Sequence, residues 1–144
     1  MYRVSYTATP YDEARRQWLI QHGARVPAPG SVSRSPSDAE LRLALSLLPG
    51  YQVRYHALDE FRYQAEVSSL DADGPWARLN VRPHAHEPDR VEFWFEQGWP
   101  IAVLQVAARV AAYAGPLVVV PDNGAPPLVV VAGMDAEAAL AEWP

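Results

Sequence analysis

Most residues that could take part in binding or catalysis lie in four strand-like segments between positions 51 and 95. Polar and apolar side chains alternate there, which is the pattern of half-buried β-strands. A solvated sheet face is one interpretation, because antiparallel sheets often leave one face in water. A protein-binding face is the other, because Arg and Trp are enriched at the centres of interfaces. Its candidate contact residues are Arg54, Arg62, Arg78, Trp76 and Trp94.

The segment His84-Ala-His86-Glu87 offers a second kind of chemistry. In an extended chain, an H-x-H pair directs both imidazoles to one side, an arrangement that suits zinc. A third ligand, such as His56 or Glu87, would have to be supplied by the fold. Prolines flank the segment and favour an ordinary exposed loop, so His84 and His86 are only a minor metal-site alternative, and we expect no cofactor.

Catalytic motifs are missing from the sequence. Ser31, Ser33, Ser35 and Ser37 lie in a loop and near a helix start without a G-x-S-x-G elbow. There is no glycine-rich phosphate loop, and there is no cysteine. We therefore expect a chain that is not an enzyme. Two competing hypotheses stay open. One is a small enzyme or ligand-binding domain with a pocket between sheet and helices, lined by Tyr55, Tyr63, His56 and Glu92. The other is a homodimer that uses the Trp/Arg face as its own interface.

The sheet that would position these residues needs a covering helix, and the best candidate is Trp99–Ala114. Pro100 suits a first helical turn and Gly115 a helix end. Apolar residues occupy most of its circumference, and one narrow stripe of Ala102, Gln105, Arg109 and Ala112 remains. The pattern predicts a core helix.

The N-terminal third predicts a strand through Tyr2, Val4 and Tyr6 and then two helices. The first spans Pro10 to about His22, is capped by Thr9, and buries Ala14, Trp18 and Leu19. A surface loop over residues 24–34 follows. The second helix is capped at Ser35-Pro36 and buries Leu41, Ala44, Leu45 and Leu48.

The predicted strands after these helices are 51–57, 61–70, 76–82, one beginning at Val91, 117–120 and 128–131, with a last helix over 135–143. The expected fold is α+β, with an antiparallel or mixed sheet and helices packed mainly on one face. One domain covers residues 1–144.

The composition narrows the classes of partner. A formal charge of −5 argues against binding nucleic acid through a broad basic field. No apolar run is long enough to span a membrane, and the chain opens without a signal-peptide pattern. All basic residues are arginine, a bias typical of GC-rich bacterial genomes. We expect a cytoplasmic protein.

Two stretches give the whole chain a family resemblance: TATPYDEARRQWL near the start, and VAARVAAYAGPLVVVPDNGAPPLVVV near the end. This layout resembles that of small bacterial immunity proteins from polymorphic-toxin and secretion-system loci. The resemblance implies a non-enzymatic cytoplasmic protein that binds and blocks one cognate toxin. The acidic balance of the chain would suit a basic partner.

Overall fold

The computed structural model describes residues 4–143, which build one seven-stranded sheet between helices. All strand pairs are antiparallel, in the order β2-β3-β4-β5-β1-β6-β7. The α+β prediction is therefore confirmed, in its antiparallel form. The elements are β1 Tyr6–Pro10, a 3₁₀ turn Glu13–Arg15, α1 Arg16–Gln21, α2 Asp38–Ser46, β2 Tyr51–Ala57, β3 Tyr63–Ser69, β4 Trp76–Pro83, β5 Val91–Gly98, α3 Pro100–Ala114, β6 Leu117–Pro121, β7 Leu128–Val130 and α4 Ala136–Glu142.

Helix α3 is the core helix that the sequence predicted. It begins after Trp99 with Pro100 in the first turn, and it ends at Gly115, whose φ is +84°. A side chain at Gly115 would collide with the carbonyl oxygen of Val32, so glycine is required where the chain crosses this helix end. The predicted polar stripe is wrong in one member, because Ala102 is fully buried while Arg109 is exposed.

Helix α2 packs beside α3 on the same sheet face and begins two residues later than predicted. Its N-cap is Ser37, not Ser35: the Ser37 hydroxyl accepts from the Glu40 N–H at 3.1 Å, and the Glu40 carboxylate accepts from the Ser37 N–H at 2.9 Å. This reciprocal pair is a capping box. Leu41, Ala44 and Leu45 are buried as predicted.

The N-terminal helix was placed too early in the sequence. Pro10 ends β1, where it pairs with Leu117, and the 3₁₀ turn is capped by Asp12, whose carboxylate accepts from the Ala14 N–H. A Thr-Pro pair can end a β-strand as readily as it starts a helix, because the φ angle that proline imposes occurs in both structures. Leu19 is buried, but the predicted inward residues Ala14 and Trp18 are exposed. Tyr2 lies outside the described residues.

Helix α1 covers only part of the second sheet face. Leu19, Tyr11 and Ala24 form a small cluster with Val118 and Val129 of β6 and β7. The segment 24–34, predicted as a surface loop, contributes to this packing: the Ser33 hydroxyl donates to the Pro116 carbonyl and accepts from the Tyr11 N–H. No helix within residues 4–143 lies over β2 to β5 on this side.

No helix among residues 4–143 combines the length and the apolar character that crossing a bilayer requires.

The contact between the Glu40 carboxylate and Arg34 joins α2 to the preceding loop, and we expect acid to weaken it. Both nitrogens of the Arg34 fork donate to it at 2.7 Å, which together with Ser37 lowers the pKa of Glu40 from 4.5 to about 2. The ionised form is therefore favoured in the folded state, so this stabilisation is present above pH 4.5 and is lost as the pH falls towards 2. We expect Glu40→Gln to lower the free energy of unfolding at pH 7 by about 2 kcal/mol.

Urea unfolding at several pH values tests this expectation. The difference between wild type and Glu40→Gln should shrink as the pH falls through that interval. Glu137→Gln, at an exposed position of α4, is the control and should change little. A difference between wild type and Glu40→Gln that does not vary with pH would contradict the assignment.

Candidate binding surface

The uncovered side of β2 to β5 forms a polar surface, called here the open face. Cross-strand register places Arg54 beside Glu66 and Glu66 beside Arg78, while Asn80 lies between Gln64 and Trp94. The apolar residues of β3, β4 and β5 that point to α2 and α3 are buried, whereas Tyr51 and Val53 of β2 are half-buried and Tyr55 is exposed. The open face consists of Gln52, Arg54, His56, Gln64, Glu66, Ser68, Trp76, Arg78, Asn80, Arg82, Glu92, Trp94 and Glu96.

A hydrogen-bonded network fixes the middle of the open face. Gln64 Nε2 donates to Asn80 Oδ1 at 2.9 Å and to Glu96 Oε2 at 3.0 Å, and Asn80 Nδ2 donates to the same Glu96 oxygen at 3.2 Å. One carboxylate thus joins three neighbouring strands. Side chains held in this way lose little further freedom on binding, which lowers the entropic cost of association.

Charges on the open face neutralise each other laterally. Arg78 lies between two carboxylates, with Nε 3.6 Å from Glu66 Oε1 and Nη1 3.9 Å from Glu96 Oε1. His56 Nε2 lies 3.5 Å from the other oxygen of Glu66. Three arginines and three glutamates occupy the face, so it has almost no net charge and the −5 of the chain is carried elsewhere.

Trp94 lies towards one end of the face, beneath a charged side chain. The Arg82 guanidinium carbon is 5.1 Å from the centre of the Trp94 ring, and Arg82 Nε donates to Glu92 Oε2 at 2.9 Å. This cation–π contact and ion pair hold a half-buried indole in one orientation. Trp76 lies four residues before Asn80 on β4, about 13 Å along the strand from the position that faces Trp94.

A recess of about 370 Å³ adjoins Trp94, between β1 and β5. β1 pairs with β5 from Tyr6 as far as Ala8. Beyond Ala8, the Val91 N–H donates instead to the Pro36 carbonyl at 2.9 Å. The two strands therefore separate and leave the recess between them. Thr7 and Thr9 line it, and sequence reasoning missed both because nothing local indicates that β1 inserts beside β5.

The predicted contact residues divide into two groups. Arg54, Arg78, Trp76 and Trp94 do share the open face. Arg62 does not lie in a strand as predicted: it belongs to the β2–β3 hairpin, where its Nε donates to Asp59 Oδ2 at 2.6 Å. The hairpin is longer than the alternating pattern suggested, because Asp59 also accepts from the Phe61 and Arg62 N–H groups and closes the turn.

The histidine pair is arranged poorly for a metal. His84 Nδ1 accepts from the backbone N–H groups of His86 and Glu87, both at 3.1 Å. The ring hydrogen of the neutral imidazole is then on Nε2, so neither ring nitrogen has a lone pair free for a metal. His84 Nε2 lies 3.7 Å from Glu92 Oε1. Among residues 4–143, no group of three or more His, Asp or Glu side chains converges on a point that could hold an ion.

The alternative pocket predicted from Tyr55, Tyr63, His56 and Glu92 is not formed. Tyr55 and Tyr63 lie on the helix side, where both rings contact the Arg42 guanidinium, whereas His56 and Glu92 lie on the open face. Alternation along a strand separates these pairs by the thickness of the sheet. The Tyr63 hydroxyl donates to Asp38 Oδ1, and burial raises the pKa of Tyr63, as expected for a structural tyrosine.

No protein-family model, curated protein or solved structure matches the chain. The geometry of the open face is therefore the basis for a functional proposal.

The Glu96 network predicts a measurable stabilisation. Glu96→Ala removes the acceptor of two side-chain hydrogen bonds and one partner of Arg78, so we expect the free energy of unfolding to fall by about 1–2 kcal/mol. Gln97→Ala, at the adjacent bulge, is the control and should cost less than about 0.5 kcal/mol.

Urea unfolding gives both free energies, and side-chain amide resonances of Gln64 and Asn80 report the network directly. Those resonances should shift in Glu96→Ala alone. Equal losses of stability in the two variants would show that the network contributes nothing specific.

Proposed function

We propose that this chain is a non-enzymatic protein-binding domain of the immunity or inhibitor type, which binds one cognate protein and blocks it by covering its surface. The open face would be the contact surface. The observation that supports this most directly is that the fold leaves one face of four strands uncovered while orienting two half-buried tryptophans on it. A merely solvated face needs charge but has no use for an indole held by an arginine, as Trp94 is by Arg82.

The chemistry of the open face suits a protein partner. A neutral surface with pre-ordered amide and carboxylate groups offers hydrogen bonds in fixed directions, and Trp94 and Trp76 supply apolar area at low entropic cost. The recess beside Trp94 could receive one side chain of the partner. A cytoplasmic location belongs to the same proposal and fits a chain without cysteine.

The recess also favours a second candidate, a small-ligand site. About 370 Å³ is within the range of small-molecule pockets, and the recess combines the Trp94 ring with Arg82, His84 and Glu92. A ligand there would stabilise the isolated domain against heat, whereas a binding face without a pocket ligand would show stabilisation only with a protein partner.

Affinity capture followed by measured binding tests the first candidate. The purified domain is used to isolate a stoichiometric partner from a lysate of its host, and the partner is then titrated against variants. We expect Trp94→Ala and Arg54→Ala each to weaken binding about tenfold or more, which is about 1.4 kcal/mol.

Two control variants match these substitutions. Arg109→Ala removes an exposed arginine from α3 on the other side of the sheet, and Trp18→Ala removes a half-exposed indole that is also stacked by an arginine, at 5.0 Å from Arg15. Neither should change the affinity. Similar losses in test and control variants would contradict an interface on the open face, and a rise in mass with protein concentration would favour a homodimer instead.

A further inference from the structure

The two edges of the sheet differ in a way that the fold itself does not require. The β7 edge is short, at 3 residues, and Val129 and Val130 are almost fully buried. The β2 edge is 7 residues long, and five of its positions are exposed. Natural sheets usually protect such an edge with proline, a bulge, charged side chains or a covering element. β2 contains no proline, pairs with β3 in unbroken register, and has Arg54 as its one Asp, Glu, Lys or Arg side chain.

Hydrogen bonds at both ends of β2 identify its free backbone groups. The Leu70 N–H donates to the Gly50 carbonyl and the Leu58 N–H to the Arg62 carbonyl, both at 2.9 Å. Hydrogen-bonded pairs recur at every second residue of an antiparallel ladder, so the even-numbered residues bond β3. Tyr51, Val53 and Tyr55 therefore direct their N–H and C=O groups outwards, and within residues 4–143 no hydrogen bond reaches those groups.

Arg54 supplies a charge at the middle of this edge. Its cross-strand neighbour is Glu66, but the Glu66 carboxylate is directed to His56 and Arg78. Arg54 is exposed, and no carboxylate of the described chain, residues 4–143, comes within ion-pair distance of it. A strand added to the edge would meet Arg54 at a non-hydrogen-bonded position, where opposed side chains approach most closely.

Apolar side chains lie at both ends of the same edge. Leu58 and Phe61 at the β2–β3 hairpin are 55% and 68% exposed, and Leu70, next to Gly50, is 69% exposed. Tyr55 lies between them and is 40% exposed. Half or more of each end residue is thus left without packing in the isolated chain, at positions that an added strand would approach.

We propose that the partner docks by adding an extended segment to the free edge of β2, with a carboxylate of that segment opposite Arg54. The inference rests on the proposed function, because it names the part of the partner that the domain holds. A second copy of this chain is a poorer occupant: β2 contains no acidic residue, and antiparallel self-pairing centred on position 54 would oppose two arginines.

A designed peptide tests the edge without the partner. The probe is a capped peptide as long as β2, with valine at odd positions, threonine at the second and sixth, and glutamate at the central position. We expect its addition to slow amide exchange at Tyr51, Val53 and Tyr55. The amides of Gln52, Arg54 and His56 already bond β3 and serve as internal references. The matched peptide with central lysine should bind about fivefold more weakly.

Two further reagents separate strand addition from other binding. A peptide methylated on the backbone nitrogens of its third and fifth residues cannot complete the ladder and should not bind. Val53→Pro removes an outward N–H that the fold does not use, so the variant should stay folded, as proline is tolerated at such edge positions, and should lose the peptide. Should Val53→Pro misfold, the methylated peptide on wild type still decides the question.

The inference is overturned by equal affinity for the methylated peptide, by equal affinity for the lysine peptide, by no slowing of exchange at saturating glutamate peptide, or by protection of the three outward amides that grows with protein concentration alone. A captured partner whose affinity falls with Trp94→Ala but not with Val53→Pro would keep the open face as the interface and remove the edge.

Discussion

The packing of α3 on the sheet is the constraint on which the other features depend. Val103, Leu104 and Val110 are buried against the strands, and Gly98 lets the chain pass from β5 into the helix: a Cβ there would stand 2.9 Å from the Ala77 Cβ. With α2 and α4 beside it, this helix covers one face and leaves the other to a six-residue α1 and a loop, whose buried side chains pack on β6 and β7. The open face stays uncovered because the short α1 and its loop do not extend over β2 to β5.

The charged groups of an uncovered face have no second layer to pair with, so they pair laterally here, although Arg78 Nε is buried without a hydrogen-bond partner among residues 4–143. Glu66 and Glu96 neutralise Arg78, and Glu92 neutralises Arg82, so the ionic groups of the centre are mostly occupied with one another. Exposed ion pairs of this kind add little stability. For the proposed partner their consequence would be specificity, because it would have to match a fixed pattern of donors and acceptors. Arg54 differs, since at the rim no carboxylate of residues 4–143 forms an ion pair with it.

Sequence periodicity predicted the parts of the fold that are local. α3 and the meander β2–β5 follow from helical and alternating patterns, and four of five proposed contact residues share one face as a result. Position within the sheet was not predictable, because the insertion of β1 between β5 and β6 depends on pairing across more than 80 residues of sequence. The recess beside Trp94, which Thr7 lines, depends on that insertion. Arg62 was misplaced because alternation continued into a turn that Asp59 closes.

The free edge of β2 bears on function as well. An exposed ladder of this length carries a cost for any protein, since it can pair with other chains. A proline at Val53 would remove the risk without breaking a bond of the fold, yet the position keeps an N–H that points outwards. The edge adjoins the open face along its whole length and shares Arg54 with it. A strand bound there would extend the same surface that Trp94 and Trp76 occupy, so the proposed edge site and the proposed contact face would form one continuous interface.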